Sequence, residues 1–347
     1  MNPLTLTMFI LSLGLGTTIT FSSSHWLLAW MGLEINTIAI TPLMIKQQHP
    51  RAVEATTKYF LTQATASALL LFASITNAWV TGQWSILEME NTTAITLVTL
   101  ALALKLGLAP MHFWLPEVLQ GLDLKTGLIL STWQKLAPFI ILIQISPALN
   151  PHIMTTLALL STLIGGWGGL NQTQLRKILA YSSIAHLGWM TIILHYSPNI
   201  AILNLLVYLI ITSTIFLLFN LFNSTTINSI SMMTTKNPII TPIMMMTLLS
   251  LGGLPPLTGF MPKWLILQEL VYQELFLIAT IMALSTLLSL FFYLRLTYAT
   301  ALTMTPNTMN MMTSWMTKNN LKLTLPITIP LATMILPLTP LFFYILQ

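Results

Sequence analysis

Four ionisable residues stand inside otherwise apolar stretches of this sequence, and they are Glu34, Lys105, Lys135 and Lys263. An ionised side chain near the centre of a bilayer costs about 2.5–3.5 kcal/mol on insertion scales, so such residues are usually paired and functional. A lysine in apolar surroundings can release its proton, whereas a carboxylate nearby favours the protonated form. Arginine stays charged and cannot act in this way. These residue types therefore predict sites of reversible protonation, with Glu34 as the acid partner of a lysine.

Two histidines are candidates for relaying protons between such sites. His112 follows Lys105 and the helix-breaking Pro110, and His186 lies in the middle of the apolar segment Y-S-S-I-A-H-L-G-W. Histidine changes its charge near neutral pH, which suits a relay. The sequence therefore predicts a relay role for both side chains.

A purely structural interpretation of these residues is also open. The alkyl chain of Lys105 or Lys263 can carry its ammonium group to the lipid headgroups, and Glu34 can serve as an ion-pair partner alone. Polar residues in membrane helices often join neighbouring helices through hydrogen bonds, and this alternative applies to the histidines. Lys135 lies about ten residues into its apolar segment and cannot easily reach the headgroups.

The composition indicates that helices in lipid position these residues. Of the 347 residues, 55% are hydrophobic and 6% are charged, whereas soluble domains carry about 25% charged residues. The sequence has no cysteine, which excludes disulfides, cysteine-bound zinc and cysteine-ligated iron–sulfur clusters. The histidines show no metal-ligand spacing and no basic run exceeds two residues. We therefore expect no metal, no cofactor or redox centre, and no nucleic acid bound to this chain.

Apolar stretches bounded by polar, proline or glycine clusters predict about eleven membrane crossings. Their approximate cores are 3–22, 25–45, 57–79, 92–110, 125–146, 149–170, 175–195, 199–222, 238–257, 275–300 and 324–346. The predicted fold class is an all-α polytopic membrane protein.

The basic residues support this count, because alternating crossings place ten of the thirteen on the same side of the membrane. These ten are Lys46, Arg51, Lys58, Lys125, Arg176, Lys177, Lys236, Arg295, Lys318 and Lys322. The opposite loops contain acidic residues but no lysine or arginine. By the positive-inside rule, the N-terminus lies on the matrix or cytoplasmic side and the C-terminus on the other side.

Two interrupted segments resemble each other, L-G-L-A-P-M-H-F-W-L-P-E at 106–117 and L-G-G-L-P-P-L-T-G-F-M-P-K at 251–263. In each, a proline follows the leucine by four residues, and a second proline and a charge come later, with one residue inserted in the second copy. The segments lie five crossings apart, which predicts two inverted five-helix repeats with broken helices near a transport site. The predicted division is 1–147 for the first repeat, 148–300 for the second, and 301–347 for a loop and a C-terminal transmembrane helix.

Six motifs identify a family that this sequence resembles. They are W-x-G-L-E-x-N around Glu34, K-Y-F-L-T-Q at 58–63, K-L-G-L-A-P-M-H-F-W-L-P-E at 105–117, T-W-Q-K-L-A-P at 132–138, G-G-L-N-Q-T-Q-L-R-K-I-L-A-Y-S-S-I-A-H-L-G-W at 168–189 and L-G-G-L-P-P-L-T-G-F-M-P-K-W at 251–264. Together they resemble the antiporter-like membrane subunits of respiratory complex I, NADH:ubiquinone oxidoreductase, in the mitochondrially encoded subunit 2 family. The resemblance spans nearly the whole chain.

The resemblance implies roles for the ionisable residues. Glu34 and Lys105 correspond to the acid–lysine pair of the first half, Lys135 to the linking lysine, and Lys263 to the broken-helix lysine of the second half. Such subunits are similar to Na⁺/H⁺ antiporter subunits and carry proton translocation in the membrane arm.

The resemblance also implies a location and partners. It places the chain in the mitochondrial inner membrane, with its N-terminus in the matrix and its C-terminus in the intermembrane space. Partners would be other membrane-arm subunits, including neighbouring antiporter-like subunits, and membrane lipids such as cardiolipin. NADH, FMN, iron–sulfur clusters and ubiquinone are expected in other subunits. The chain resembles the animal form that lacks the first three of fourteen crossings, and a neighbouring subunit is expected to cover the flank left open.

The leading hypothesis is a proton-translocating subunit of this enzyme complex, coupled to electron transfer from NADH to ubiquinone elsewhere. A first alternative is an autonomous cation/proton antiporter, which would transport ions in proteoliposomes without partners. A second is a structural scaffold, in which neutralising Glu34 or Lys135 would reduce assembly but leave coupling intact. Co-purification with redox proteins in a large assembly would favour the subunit.

Overall fold

The computed structural model describes residues 2–46, 48–232, 240–301 and 324–346. Within these ranges the chain forms helices and short 3₁₀ turns, and it contains no β-strand. The helices as far as residue 252 are α1 Pro3–Ser22, α2 Trp26–Met44, α3 Pro50–Thr81, α4 Thr92–Leu106, α5 Trp114–Gly121, α6 Leu124–Ser131, α7 Trp133–Ile145, α8 Pro151–Gly169, α9 Leu175–Ile193, α10 Pro198–Phe222, α11 Ile227–Ser231 and α12 Ile240–Gly252. They are followed by α13 Phe260–Tyr272, α14 Phe276–Ala301, α15 Thr324–Met334 and α16 Thr339–Leu346.

The predicted all-α membrane class is confirmed. In the described ranges, six stretches are long and apolar enough to cross a membrane, namely α1, α2, α3, Leu124–Ala148 (α6 with α7), α10 and α14. Three shorter apolar helices are α4, α12 and α15. Residues 238–239, at the start of a predicted crossing, lie outside the described residues, as do Lys236, Lys318 and Lys322.

Several predicted crossings differ from the helices. The helix α3 begins at Pro50 rather than at 57, and α4 ends at Leu106 rather than at 110. The crossing predicted at 125–146 is divided at Thr132, where the backbone N–H and the side-chain hydroxyl both donate to the carbonyl of Leu128. A threonine hydroxyl that bonds back to the preceding turn bends a membrane helix. The last crossing, predicted at 324–346, is divided by a 3₁₀ turn that contains Pro337. The crossing predicted to end at 257 ends at Gly252, because Gly253 adopts a left-handed conformation.

The described chain divides into two compact units. The first runs to Ser161 and also includes Thr191–Pro198, while the second comprises Thr162–Met190 and the residues from Asn199 onward. The boundary therefore falls within α8 and within α9. The predicted inverted repeats, divided at residue 147, are a symmetry between two halves of the chain. A division into compact units does not test this symmetry, so it stays a prediction.

In the first unit, α1 packs closely on α2 through two glycines. A Cβ atom on Gly16 would lie 2.9 Å from the carbonyl oxygen of Gly32, and a Cβ atom on Gly32 would lie 2.8 Å from that of Gly16. Small residues allow this approach in membranes, where packing rather than water exclusion holds helices together. The opposite side of α1 exposes Leu4, Met8 and Leu11, as expected of a surface that faces lipid.

In the second unit, α10 supplies much of the core. Phe216, Phe219 and Tyr208 are almost completely buried. A Cβ atom on Gly165 of α8 would lie 2.7 Å from the backbone nitrogen of Ala185 in α9, so these helices also meet at a glycine. Both units therefore combine glycine contacts with an apolar interior.

Candidate functional site

Lys105 lies in the last turn of α4, where the helix is interrupted. Gly107 has a φ of 80°, and its N–H donates to the carbonyls of Ala103 and Leu104. This left-handed cap suits glycine and ends the helix. Pro110 then cannot donate a backbone hydrogen bond, so the helix does not resume at once. Lys105, which is buried, therefore lies in the last turn of α4, at the negative end of the helix dipole.

Lys105 forms an ion pair with Glu34 of α2. Lys105 Nζ lies 3.9 Å from Glu34 Oε1, and the side chains are 2% and 22% exposed, respectively. The hydroxyl of Thr37 donates to Glu34 Oε2 over 3.3 Å. A distance of 3.9 Å is within ion-pair range but longer than a hydrogen bond. Neither Lys105 Nζ nor Glu34 Oε1 has a hydrogen-bond partner in the described chain, so both atoms can accommodate another polar partner.

A cavity of about 20 Å³, lined by polar and apolar side chains, adjoins Lys105. Its polar lining residues include Asn36, Gln63, Lys105, Gln134 and Lys135. The side-chain amide of Asn36 and the amide nitrogen of Gln63 have no hydrogen-bond partner within the described residues. A cavity needs about 10–15 Å³ and two to four polar partners to hold a water molecule. The size and lining of this cavity therefore suit a bound water.

Lys135 reaches the same cavity from α7. Its side chain is buried, and the neighbouring Gln134 Nε2 donates to the carbonyl of Asn36 in α2 over 3.2 Å. This bond fixes α7 against α2 beside the cavity. The structure thus brings together three of the predicted residues, Glu34, Lys105 and Lys135, in the first unit.

Trp114, the first residue of α5, joins the two sides of the first break. Its indole Nε1 donates to the carbonyl of Leu104 over 3.0 Å, so it serves a carbonyl near the end of α4. Its ring lies 5.7 Å from that of Tyr59 in α3, and both side chains line the cavity. Farther along α5, Glu117 Oε2 lies 2.8 Å from Lys58 Nζ, which also meets Glu54 Oε1 at 2.7 Å.

The second break lies between α12 and α13. Gly253 has a φ of 80°, and its N–H donates to the carbonyls of Leu249 and Ser250, as at Gly107. Lys263 of α13 is buried, and its Nζ donates to the carbonyl of Gly252 over 2.8 Å. Within the described residues, no carboxylate forms an ion pair with Lys263.

The two breaks align without an insertion, so the inserted residue proposed from the sequence is wrong. The left-handed glycines Gly107 and Gly253 correspond, as do the first residues of the following helices, Trp114 and Phe260. The same offset pairs Glu117 with Lys263. The matching position in the first break is therefore Glu117, and Lys105 is not the counterpart of Lys263.

The two histidines occupy different places. His112 is buried, its ring lies 4.4 Å from that of Phe113, and Nδ1 is 3.3 Å from the carbonyl of Pro110. It does not line the cavity beside Lys105. His186 is half-buried in the second unit, with its ring 5.5 Å from that of Tyr208. The structure therefore does not place His112 in the cavity, and the relay role of both side chains stays a prediction.

Four neutral residues of the first site, Asn36, Thr37, Trp114 and Gln134, were not predicted from the sequence. A neutral side chain costs less in a membrane than a charged one, so these residues do not stand out. Their position beside charged residues was the available signal, because Asn36 follows Glu34 by two residues and Gln134 precedes Lys135.

In the described ranges, no group of three or more histidine, cysteine or acidic residues is arranged to hold a metal.

The fold and the first site define a polytopic all-α membrane protein with a lysine–carboxylate pair within it and a small cavity beside the lysine. Residues 23–289 match the family model described as NADH:quinone oxidoreductase/Mrp antiporter, transmembrane. Residues 290–343 match the model of the NADH dehydrogenase subunit 2 C-terminus. The chain belongs to the NADH:quinone oxidoreductase/Mrp antiporter family.

Curated relatives and solved structures agree with this family. NADH-ubiquinone oxidoreductase chain 2 of Squalus acanthias is 70% identical over 344 residues, which cover 99% of each chain. A chain in the structure of respiratory complex I from Thermus thermophilus has 26% identity and a TM-score of 0.83, covering 97% of this chain and 80% of that chain. A chain of the Mrp complex from Dietzia sp. DQ12-45-1b has the same fold, with 19% identity and a TM-score of 0.80, covering 86% of this chain and 61% of that chain.

Proposed function

We propose that this chain is a core membrane-arm subunit of proton-pumping NADH:ubiquinone oxidoreductase, and that Lys105, Glu34 and Lys135 carry protons in its first unit. The relatives named as chain 2 support the assignment to this complex. The observation that carries the proton-transfer role is the 3.9 Å pair of Lys105 and Glu34 beside a cavity shared with Lys135. A scaffold would be expected to satisfy these polar atoms within its own packing.

The proposed step at the first site is a proton transfer between two amines. Lys105 Nζ gives its proton to a water in the cavity, which passes a proton on to Lys135 Nζ. The carboxylate of Glu34 favours the charged form of Lys105, by about 1 kcal/mol in water and about 4 kcal/mol at an effective dielectric of 20 for charges 4 Å apart. Movement of Glu34 or its protonation therefore promotes release from Lys105. No electron moves in this step.

Lys263 has a separate place in the proposal. It connects the second unit to the exit side or to the next subunit, with His112 and His186 as relay candidates. Its ammonium group is held by the carbonyl of Gly252 rather than by a carboxylate. Lys263 is thus the more fixed of the two charges near a break.

The proposal extends to location and composition. The chain lies in the mitochondrial inner membrane with its N-terminus in the matrix and its C-terminus in the intermembrane space, following the positive-inside pattern. It binds no cofactor of its own, because NADH, FMN, iron–sulfur clusters and ubiquinone belong to other subunits. Neighbouring antiporter-like subunits and lipids such as cardiolipin cover its exposed apolar surface, including that of α1.

The test is the proton-to-electron ratio of the assembled complex in sealed vesicles, measured for Lys105→Gln and Glu34→Gln. Lys125→Gln is the matched control, because Lys125 is an exposed lysine near the start of α6. We expect both site variants to lower the ratio while the control retains it. An unchanged ratio in a normally assembled Lys105→Gln complex would contradict the assignment.

A further inference from the structure

Gly253, which caps α12 at the second break, lies directly against the side chain of Lys263. A Cβ atom on Gly253 would lie 2.9 Å from Lys263 Nζ, 3.0 Å from Cδ and 3.1 Å from Cε. Real Cβ atoms rarely approach other heavy atoms this closely. The space that any other residue would fill at this position is therefore occupied by the end of the lysine side chain.

This contact leads the ammonium group to the end of α12. Lys263 Nζ donates to the carbonyl of Gly252 over 2.8 Å, and Gly252 is the last residue of the helix. The last carbonyls of a helix lack partners within the helix and lie at its negative end. Lys263 reaches this carbonyl because its neighbour Gly253 has no side chain in the way.

The other glycines with positive φ show that the contact is specific to Gly253. Gly107 caps α4 with the same φ of 80°, but its Cβ atom would meet Leu115 Cδ1 at 2.9 Å. Gly82, at the end of α3, has a φ of 75° and nothing within 4 Å of its Cβ position. All three have the backbone conformation that favours glycine, whereas a lysine ammonium adjoins only Gly253 among them.

An alanine at this position would displace the lysine before it displaced the backbone. The alanine Cβ atom would clash with the flexible end of the Lys263 side chain, which can rotate away at low cost. The carbonyl groups of the helix are held by the backbone and cannot move in this way. The left-handed backbone would be strained as well, but the same strain arises at Gly82. The two glycines therefore separate strain of the backbone from displacement of the lysine.

We propose that Gly253 is a positioning residue for Lys263, and that it directs the ammonium group onto the carbonyl of Gly252. This inference rests on the proposed function of Lys263 in proton translocation. Gly253 itself contacts no transferred proton, and it acts through the position of Nζ.

The experiment compares Gly253→Ala, Lys263→Gln and the double variant in the assembled complex, with Gly82→Ala as control. The proton-to-electron ratio is measured in sealed vesicles, and a density map of the Gly253→Ala complex gives the distance from Lys263 Nζ to Gly252 O. We expect Gly253→Ala to lower the ratio as far as Lys263→Gln does, and the double variant to show no further loss. The map should show Lys263 away from Gly252 O, and Gly82→Ala should retain the ratio.

Two results would overturn the positioning role. One is a further loss when Gly253→Ala is added to Lys263→Gln, since the glycine would then act without the lysine. The other is a Lys263 that still bonds to Gly252 O in the Gly253→Ala map. If Lys263→Gln alone pumps normally while Gly253→Ala displaces the lysine, the proposed function of Lys263 fails and the positioning stands.

Discussion

The two breaks differ in the side chain that donates a hydrogen bond to a backbone carbonyl near the end of the broken helix. At the first, the neutral indole of Trp114 donates to Leu104 O, and at the second the ammonium of Lys263 donates to Gly252 O. The ammonium of Lys105 lies instead 3.9 Å from Glu34 Oε1, and Lys105 lines the cavity. The lysine near one break therefore faces a carboxylate, and the lysine near the other faces a backbone carbonyl.

The group that faces the lysine ammonium also differs between the two breaks. Lys105 has a carboxylate 3.9 Å away, whereas Lys263 has a carbonyl dipole within hydrogen-bond distance. A carboxylate can be moved or protonated, so its effect on a lysine can be switched. A helix end cannot change its dipole in this way.

The largest expected effect is that of Lys105→Met. This variant leaves Glu34 Oε1 without its counterion, and breaking a buried pair costs about 3–5 kcal/mol when both charges are fully enclosed. The loss is smaller here because the Glu34 side chain is 22% exposed. Heating the isolated complex in steps and measuring the intact fraction on native gels would show this loss. The double variant with Glu34→Gln should recover part of it, and a Lys105→Met complex as stable as Lys125→Met would contradict the pairing.

Lys263→Met should destabilise the complex less than Lys105→Met. It removes a hydrogen bond from a charged donor, worth about 1.5–3 kcal/mol, and leaves a neutral carbonyl without that partner. The same heating series gives the comparison. A larger loss for Lys263→Met than for Lys105→Met would reverse the assignment of the fixed and the exchangeable charge.

Trp114→Phe tests the indole at the first break. The ring and its packing on Tyr59 are retained, whereas the hydrogen bond to Leu104 O is lost at a cost of about 0.5–1.5 kcal/mol. Trp133→Phe is the matched control, since Trp133 Nε1 donates to Leu13 O over 3.4 Å and Trp133 does not line the cavity. We expect the proton-to-electron ratio to fall in Trp114→Phe alone. Equal ratios in the two variants would remove Trp114 from the site.

The smallest effect is expected from Glu117→Gln, at the position that corresponds to Lys263. Glu117 and Lys58 are more than 40% exposed, and an exposed ion pair contributes little to stability. Glu54 also remains as a partner of Lys58. The loss should decrease further as salt is raised, because salt screens surface charges. A loss equal to that of Lys263→Met at high salt would show that matching positions have matching roles.

The sequence sufficed for the class of fold and for the charged part of the site. Charges in apolar segments are costly, so Glu34, Lys105, Lys135 and Lys263 stand out without any structure. The neutral residues Asn36, Gln134 and Trp114 were missed, because an amide or an indole is common in membrane helices. Their importance depends on which helices pack together, as in the bond from Gln134 to the carbonyl of Asn36.

The alignment of the two breaks required the backbone conformation. Leu-Gly occurs before both breaks, and matching these letters requires an inserted residue. The left-handed conformation occurs at Gly107 and at Gly253, which is the second glycine of its pair. Which of two adjacent glycines ends a helix depends on the hydrogen bonds of the last turn, and these are not visible in the letters alone.

In the proposed function, Lys105 and Lys135 exchange protons through water at the first break. The most direct test is a high-resolution density map of the assembled complex at the cavity that both lysines line. We expect ordered water within hydrogen-bond distance of Lys105 Nζ, Lys135 Nζ and the amides of Asn36 and Gln63. A dry cavity, with these amides bonded to protein atoms, would contradict it.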